Sequence, residues 1–102
     1  MRESKRKRLA ARGWKAGETA EFLGLTQEEE RLLDLRLRLA EGLRQRRLQR
    51  QLTQSEVART LRSSQSRVAK MEAADPSVSI DLLVRSLLAL GATNRDLSRL
   101  IG

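Results

Sequence analysis

The sequence predicts an all-α fold, and three observations predict it. No segment alternates apolar and polar side chains as a half-buried strand does, and the only β-branched cluster is the short "SVSI" around Val78. Apolar residues recur instead at spacings of three and four, which puts them on one side of a helix. Two stretches, "TQEE" and "TQSE", carry the threonine-to-glutamate spacing of a capping box, in which each side chain satisfies a backbone N–H at a helix start.

Taken in chain order, a basic start leads into "GETAEFLG", a short helix closed by Gly24. Thr26 caps a long helix over about residues 27–50, with Glu29 completing its box. On that helix Leu32, Leu35, Leu39 and Leu43 form one apolar stripe, and Leu33, Leu37 and Ala40 form a second about 100° away, so two surfaces need covering. Thr53 and Glu56 start the next helix, which runs to about Leu61 with Val57, Ala58 and Leu61 inward. Ser64 is the N-cap for "QSRVAKME", which ends near Ala73 because Pro76 cannot continue a helix and pushes Asp75 out of the α region. Ser79 caps "IDLLVRSLLAL", terminated by Gly91, and "NRDLSRLI" follows behind Thr93 or Asn94. There is neither an internal repeat nor a Gly/Ser-rich linker.

Composition narrows the function classes. A chain of 102 residues, 39% of them hydrophobic, can bury one modest core. A net charge of +8 favours a polyanionic partner or a strongly acidic protein patch, although a basic solvated surface has the same composition. Charge is uneven: residues 1–15 carry a net +6, residues 16–38 a net −3, residues 39–76 a net +4 and the remainder +1. With no cysteine and no histidine, disulfides, thiol nucleophiles, the commonest metal ligand and the usual general base are all missing, so no catalytic residue, metal site, cofactor or small-molecule substrate is expected. No apolar run approaches the roughly 20 residues that span a bilayer, and no signal core follows the basic N-terminus, which leads to a cytoplasmic expectation. Trp14 and Phe22 are the only aromatic residues, too few for a base-stacking platform.

The segment "RSSQSRVAKME" carries the functional reading. Its second half sets Val68 and Met71 on an apolar stripe, while Ser64, Gln65, Ser66, Arg67 and Lys70 are short-polar or basic and none is acidic. Such side chains hydrogen-bond base edges and phosphates. Two short helices joined by "RSS", with the small Ala58 where they would cross, make a helix-turn-helix pattern; the bland alternative is a plain helical hairpin within a bundle.

On these residues, positions 39–101 resemble the Xre/Cro family of regulators, whose lambda-repressor-like domain has five helices. "LTQSEVARTL" and "SSQSRVAKME" match its second and third helices. The whole chain, including "GWKAGETAEFLGLTQEEE" and "DPSVSIDLLVRSLLALGAT", is similar to HigA-type antitoxins of bacterial toxin–antitoxin modules. The resemblance implies a helix-turn-helix DNA-binding domain over residues 37–102 and an N-terminal tail and helical extension over 1–36. It implies base reading by Ser64, Gln65, Ser66 and Lys70, a phosphate contact from Gln54, and a backbone or neighbouring-base contact from Arg67. Gln65 suits adenine N6 and N7, and Lys70 suits guanine O6 and N7. It further implies that Arg47 and Glu72 pair across helices to fix the reading helix. One departure is Arg62, where the family's turn has glycine, followed by Ser63 in place of an apolar residue: either Arg62 takes a positive φ at a cost of about 1 kcal/mol, or it serves as a phosphate contact.

The partners implied are double-stranded operator DNA, a second copy of the chain, and a RelE/HigB-like ribonuclease toxin. Dimer pairing would use Leu97, Leu100 and Ile101, with the second stripe of the long helix as a rival face. The N-terminal third has two readings. Trp14, Phe22, Leu23 and Leu25 can cover the long helix, or Glu18, Glu21, Glu28, Glu29, Glu30 and Asp34 can meet a basic toxin. The start "RESKRKR" reads as a solvated tail, a DNA arm or part of the toxin contact, the first two preferred because a block this charged cannot order itself by burial. A free-standing repressor and a purely protein-binding helical module are the competing functions.

Overall fold

The computed structural model describes Gly24 and residues 26–102, so the expected helix over "GETAEFLG" and the basic start lie outside the described residues. Five helices follow one another in that stretch: α1 Gln27–Gln49, α2 Gln54–Thr60, α3 Gln65–Glu72, α4 Ile80–Ala89 and α5 Asn94–Ile101, with no strand among the described residues. The chain divides into two compact units, Met1–Leu37 and Arg38–Gly102, and α1 begins in the first and ends in the second.

Every helix start is closed by a side chain. Thr26 accepts from the Glu29 N–H while Glu29 accepts from the Thr26 N–H, both at 3.2 Å. Thr53 and Glu56 make the same exchange at 3.1 and 2.9 Å. Thr93 and Asp96 make it at 3.1 and 2.8 Å, with aspartate in the glutamate's place. Ser64 Oγ accepts from the Arg67 N–H at 3.1 Å, and Ser79 Oγ from the Leu82 N–H at 3.0 Å.

The helix ends follow one rule. After each of α1 to α4 a residue with positive φ turns the chain, and the N–H beyond it reaches back five residues: Leu52 to Arg47, Ser63 to Ala58, Asp75 to Lys70 and Ala92 to Leu87, at 3.0, 2.8, 3.0 and 3.0 Å. Glycine fills only the last of these left-handed positions. Gly91 has φ 90, whereas Gln51, Arg62 and Ala74 have φ 58, 54 and 56. An added Cβ at Gly91 would also meet the Arg50 guanidinium at 2.7 Å.

In the second unit, Leu39, Leu43, Val57, Val68, Met71, Leu83 and Leu87 are fully buried, with Ala40, Ala58, Val78 and Leu90 around them. Burying a side chain of leucine size contributes roughly 1.5–3 kcal/mol. Leu39 and Leu43 of one expected stripe and Ala40 of the other are all buried, so the second half of α1 presents one broad apolar arc. In the first unit Leu37 is buried, Leu33 and Leu35 are half-buried, and Leu32 stands exposed.

α5 runs antiparallel along the second half of α1. Arg46 Nη2 donates to Asp96 at the start of α5 at 3.0 Å, and Arg38 Nη1 to the Ile101 carbonyl at its end, also at 3.0 Å. Between them, Leu100 occupies the space where Gly42 lacks a Cβ. Gly42 is unfavourable in a helix interior by about 1 kcal/mol relative to alanine, and this close approach explains its presence.

Gln51→Gly and Ala74→Gly should each raise the unfolding free energy by roughly 0.5–1 kcal/mol, because glycine adopts the left-handed region without Cβ strain; urea midpoints no higher than the parent's would refute this. Backbone N–H donation from Thr53 and from Thr93, seconded by their hydroxyls, holds the Glu56 and Asp96 carboxyls below their ordinary values, and the Ser77 hydroxyl and N–H do the same for Asp75. The unfolded chain therefore binds more protons in acid. The stability from these groups is complete above the ordinary carboxylate values near pH 4 and is lost as pH falls through the lower folded ones. Glu56→Gln combined with Asp96→Asn, which removes the shifted carboxyls themselves, should flatten the fall in urea midpoint between about pH 6 and pH 2.

Candidate nucleic-acid interface

α2 and α3 meet through small and apolar side chains: Ala58 is buried where they cross, Val68 and Met71 are fully buried, and Leu61 is half-buried at the turn. Ser86 Oγ donates to Met71 Sδ from α4 at 3.4 Å, which ties the inner face of α3 to the core. With that face fixed, Gln65, Ser66, Arg67 and Lys70 are all exposed on the outside of α3.

A chain of polar contacts runs beneath this surface. Glu72, on the last turn of α3, is only 5% exposed. Arg47 of α1 holds it with two bonds, Nε to Oε2 at 2.6 Å and Nη2 to Oε1 at 3.0 Å, and also donates from Nη1 to the Leu52 carbonyl at 3.0 Å. The Glu72 bond raises the Arg47 pKa against the opposing effect of burial. Gln54 Nε2, at the start of α2, donates to Glu72 Oε1 at 3.2 Å, and Gln65 Nε2 donates to Gln54 Oε1 at 2.6 Å. One chain of hydrogen bonds therefore links α1, α3, α2 and the first residue of α3.

The donor count leaves Gln65 equipped to read a base. Its amide uses one N–H on Gln54 and keeps its carbonyl oxygen and second N–H, the acceptor and donor that adenine N6 and N7 require. Gln54 likewise keeps one N–H, available to a phosphate oxygen. The Ser64 oxygen is engaged as a cap, but its hydroxyl proton remains available. Ser66 and Lys70 stand on the exposed face, while Arg67 lies two helical positions from Gln65 on the other flank, lining a groove with Arg62 and Arg85.

Arg62 has φ 54, so the residue at the usual glycine position of the turn does adopt the left-handed conformation, and its side chain is exposed. Of the residues expected to pair two copies, Leu100 packs over Gly42 of its own chain, Leu97 is half-buried, and Ile101 is 52% exposed. Leu97 and Ile101 line a shallow concavity with Asn94 and Ser98.

The sequence reading missed the Gln65–Gln54–Glu72 linkage and the place of Arg85 beside α3. A signal for the linkage was present: "TQ" and "SQ" set a glutamine at the first position of both helices of the motif. Arg85 had no local signal, because its position depends on how α4 crosses α3.

A bundle of short helices in which the third presents an acid-free polar face, held from behind by the second, defines a helix-turn-helix protein. The family model described as helix-turn-helix domain matches residues 38–100, and the chain belongs to that family, a class of DNA-binding regulators. No curated protein and no solved structure matches the chain. No helix among the described residues is long and apolar enough to cross a membrane.

Removing one partner of the buried pair should be more harmful than removing both. Arg47→Ala leaves the Glu72 carboxylate uncompensated and should cost about 3–5 kcal/mol, whereas Arg47→Met with Glu72→Leu should recover most of that loss. Urea unfolding of the three proteins measures it, and equal losses for the single and double variants would contradict the buried-charge account.

Proposed function

We propose that this chain is a transcriptional repressor that seats α3 in the major groove of operator DNA, and that it is the antitoxin of a toxin–antitoxin module. The observation that carries DNA reading is Gln65, exposed at the leading end of α3 and tethered through Gln54 to a buried ion pair, with base-pairing atoms still unused. Ser64, Ser66 and Lys70 extend the reading surface, and Gln54 and Arg67 supply backbone contacts.

One copy covers only half of a two-fold operator, so two copies set their α3 helices about 34 Å apart. The open face of α5, with Leu97 and Ile101, supplies the pairing surface; Leu100 supports it from within by holding α5 on α1.

The antitoxin part rests on the resemblance of the whole chain to HigA-type proteins and on charge. Glu28 and Glu29 are exposed on the first turn of α1, and Leu32 stands exposed one turn on, a combination suited to a basic RelE/HigB-like ribonuclease. A free-standing repressor of the same family is the second reading, favoured by the family match beginning only at residue 38. Co-expression with the adjacent reading frame separates them: a stable complex that silences a ribonuclease supports the antitoxin, and no association leaves the repressor.

Gln65→Ala should weaken binding to promoter DNA by about 1–3 kcal/mol and relax preference at one base pair. Gln54→Ala should relax the same base pair, and the double variant should lose less than the sum of the two, because the residues act as one unit. Equal losses on promoter and random duplexes would refute base reading by Gln65.

A further inference from the structure

The groove on the far flank of α3 holds Arg67, already read as a backbone contact, beside Arg85, which has no role in the contacts assigned above. Its floor is Leu61, Met71 and Leu82, and its rim carries Arg62 from the turn, Arg67 from α3 and Arg85 from α4, enclosing about 350 Å³. No carboxylate lines it, and none of the three arginines forms an ion pair among the described residues. Arg62 is also held at φ 54, a conformation glycine would adopt without Cβ strain.

We propose that Arg62, Arg67 and Arg85 grip the phosphate strand on the far side of the major groove, which makes Arg85 of α4 a DNA-backbone contact outside the helix-turn-helix motif. This rests on the reading that α3 enters the groove. An α-helix about 10–12 Å across fills a major groove about 12 Å wide, so each flank of the helix faces one phosphate strand. Gln54 stands on one flank and the arginines on the other. Two of the three cations are carried by α3 and the turn that delivers it, so a duplex seated on α3 brings a phosphate strand to the groove. That placement favours DNA over an acidic protein as occupant.

The test uses the full chain, a duplex carrying the promoter upstream of its own reading frame, and a random duplex of equal length. Arg85→Gln, an exposed change, should fold with an unaltered thermal midpoint, bind both duplexes several-fold more weakly, and make the log–log salt dependence shallower by about 0.9. Arg62→Gly should raise the thermal midpoint yet weaken binding to both duplexes, separating strain from charge. Unchanged affinity and salt slope in Arg85→Gln, with wild-type binding intact and promoter preference lost in Gln65→Ala, overturns the groove assignment alone. If Arg85→Gln instead weakens only the binding of poly-glutamate, the groove belongs to an acidic protein and the DNA assignment falls. A wild-type chain that binds neither duplex overturns both this inference and the reading beneath it.

Discussion

Glu72 carries a charge into a place almost closed to water, and the interface is built around keeping it there. Moving a carboxylate out of water costs several kcal/mol, and an arginine repays this only with good geometry and further hydrogen bonds. Arg47 provides two-point contact, and Gln54 adds a third donor to the same oxygen that Arg47 Nη2 reaches. An apolar pair of similar volume would hold the helices together as well. It would give Gln54 nothing to point at, and Gln65 would then have no fixed neighbour. The ion pair is better understood as setting direction than as adding stability.

The direction it sets matters because α2 and α3 are short, seven and eight residues. Isolated helices of this length do not persist in water. Capping at both ends, the Val57, Val68 and Met71 core and the broad face of α1 supply what propensity cannot. α5 extends the same logic. It is attached to α1 at both ends by arginine contacts and in the middle by the Leu100–Gly42 approach, leaving Leu97 and Ile101 on its open side.

What was legible in the sequence is what local chemistry decides. Thr53 with Glu56, Thr26 with Glu29, and the caps Ser64 and Ser79 depend on residues three apart, and the structure starts its helices there. The left-handed turns at Gln51 and Ala74 were not legible. They arise because Leu52 and Asp75 reach back to close the preceding helix, a demand set by where the next helix must pack rather than by residue preference. Leu100 illustrates the same limit. Its spacing with Leu97 and Ile101 reads as a single exposed stripe, yet the missing Cβ at Gly42, 58 positions away, draws it inward. Arg62 lies between these cases, since its position in the turn was visible but its φ was fixed only by the Ser63 bond to Ala58.

The two flanks of α3 hold their polar side chains in opposite ways, and the difference has a physical consequence. Gln65 and Gln54 are anchored, with little rotamer freedom left to lose, so on the proposed reading a mismatch would meet a fixed donor and acceptor. Arg62, Arg67 and Arg85 form no ion pair among the described residues. Phosphates are alike at every base pair, so a guanidinium without a fixed partner sacrifices no sequence discrimination by adapting, and its attraction acts over a Debye length of about 8 Å at physiological salt. On the proposed reading, rigidity on one side would give discrimination, and unpaired charge on the other would give encounter and affinity. Anchoring the arginines as firmly as Gln65 would require carboxylates beside them, and those would cancel the positive field on that flank.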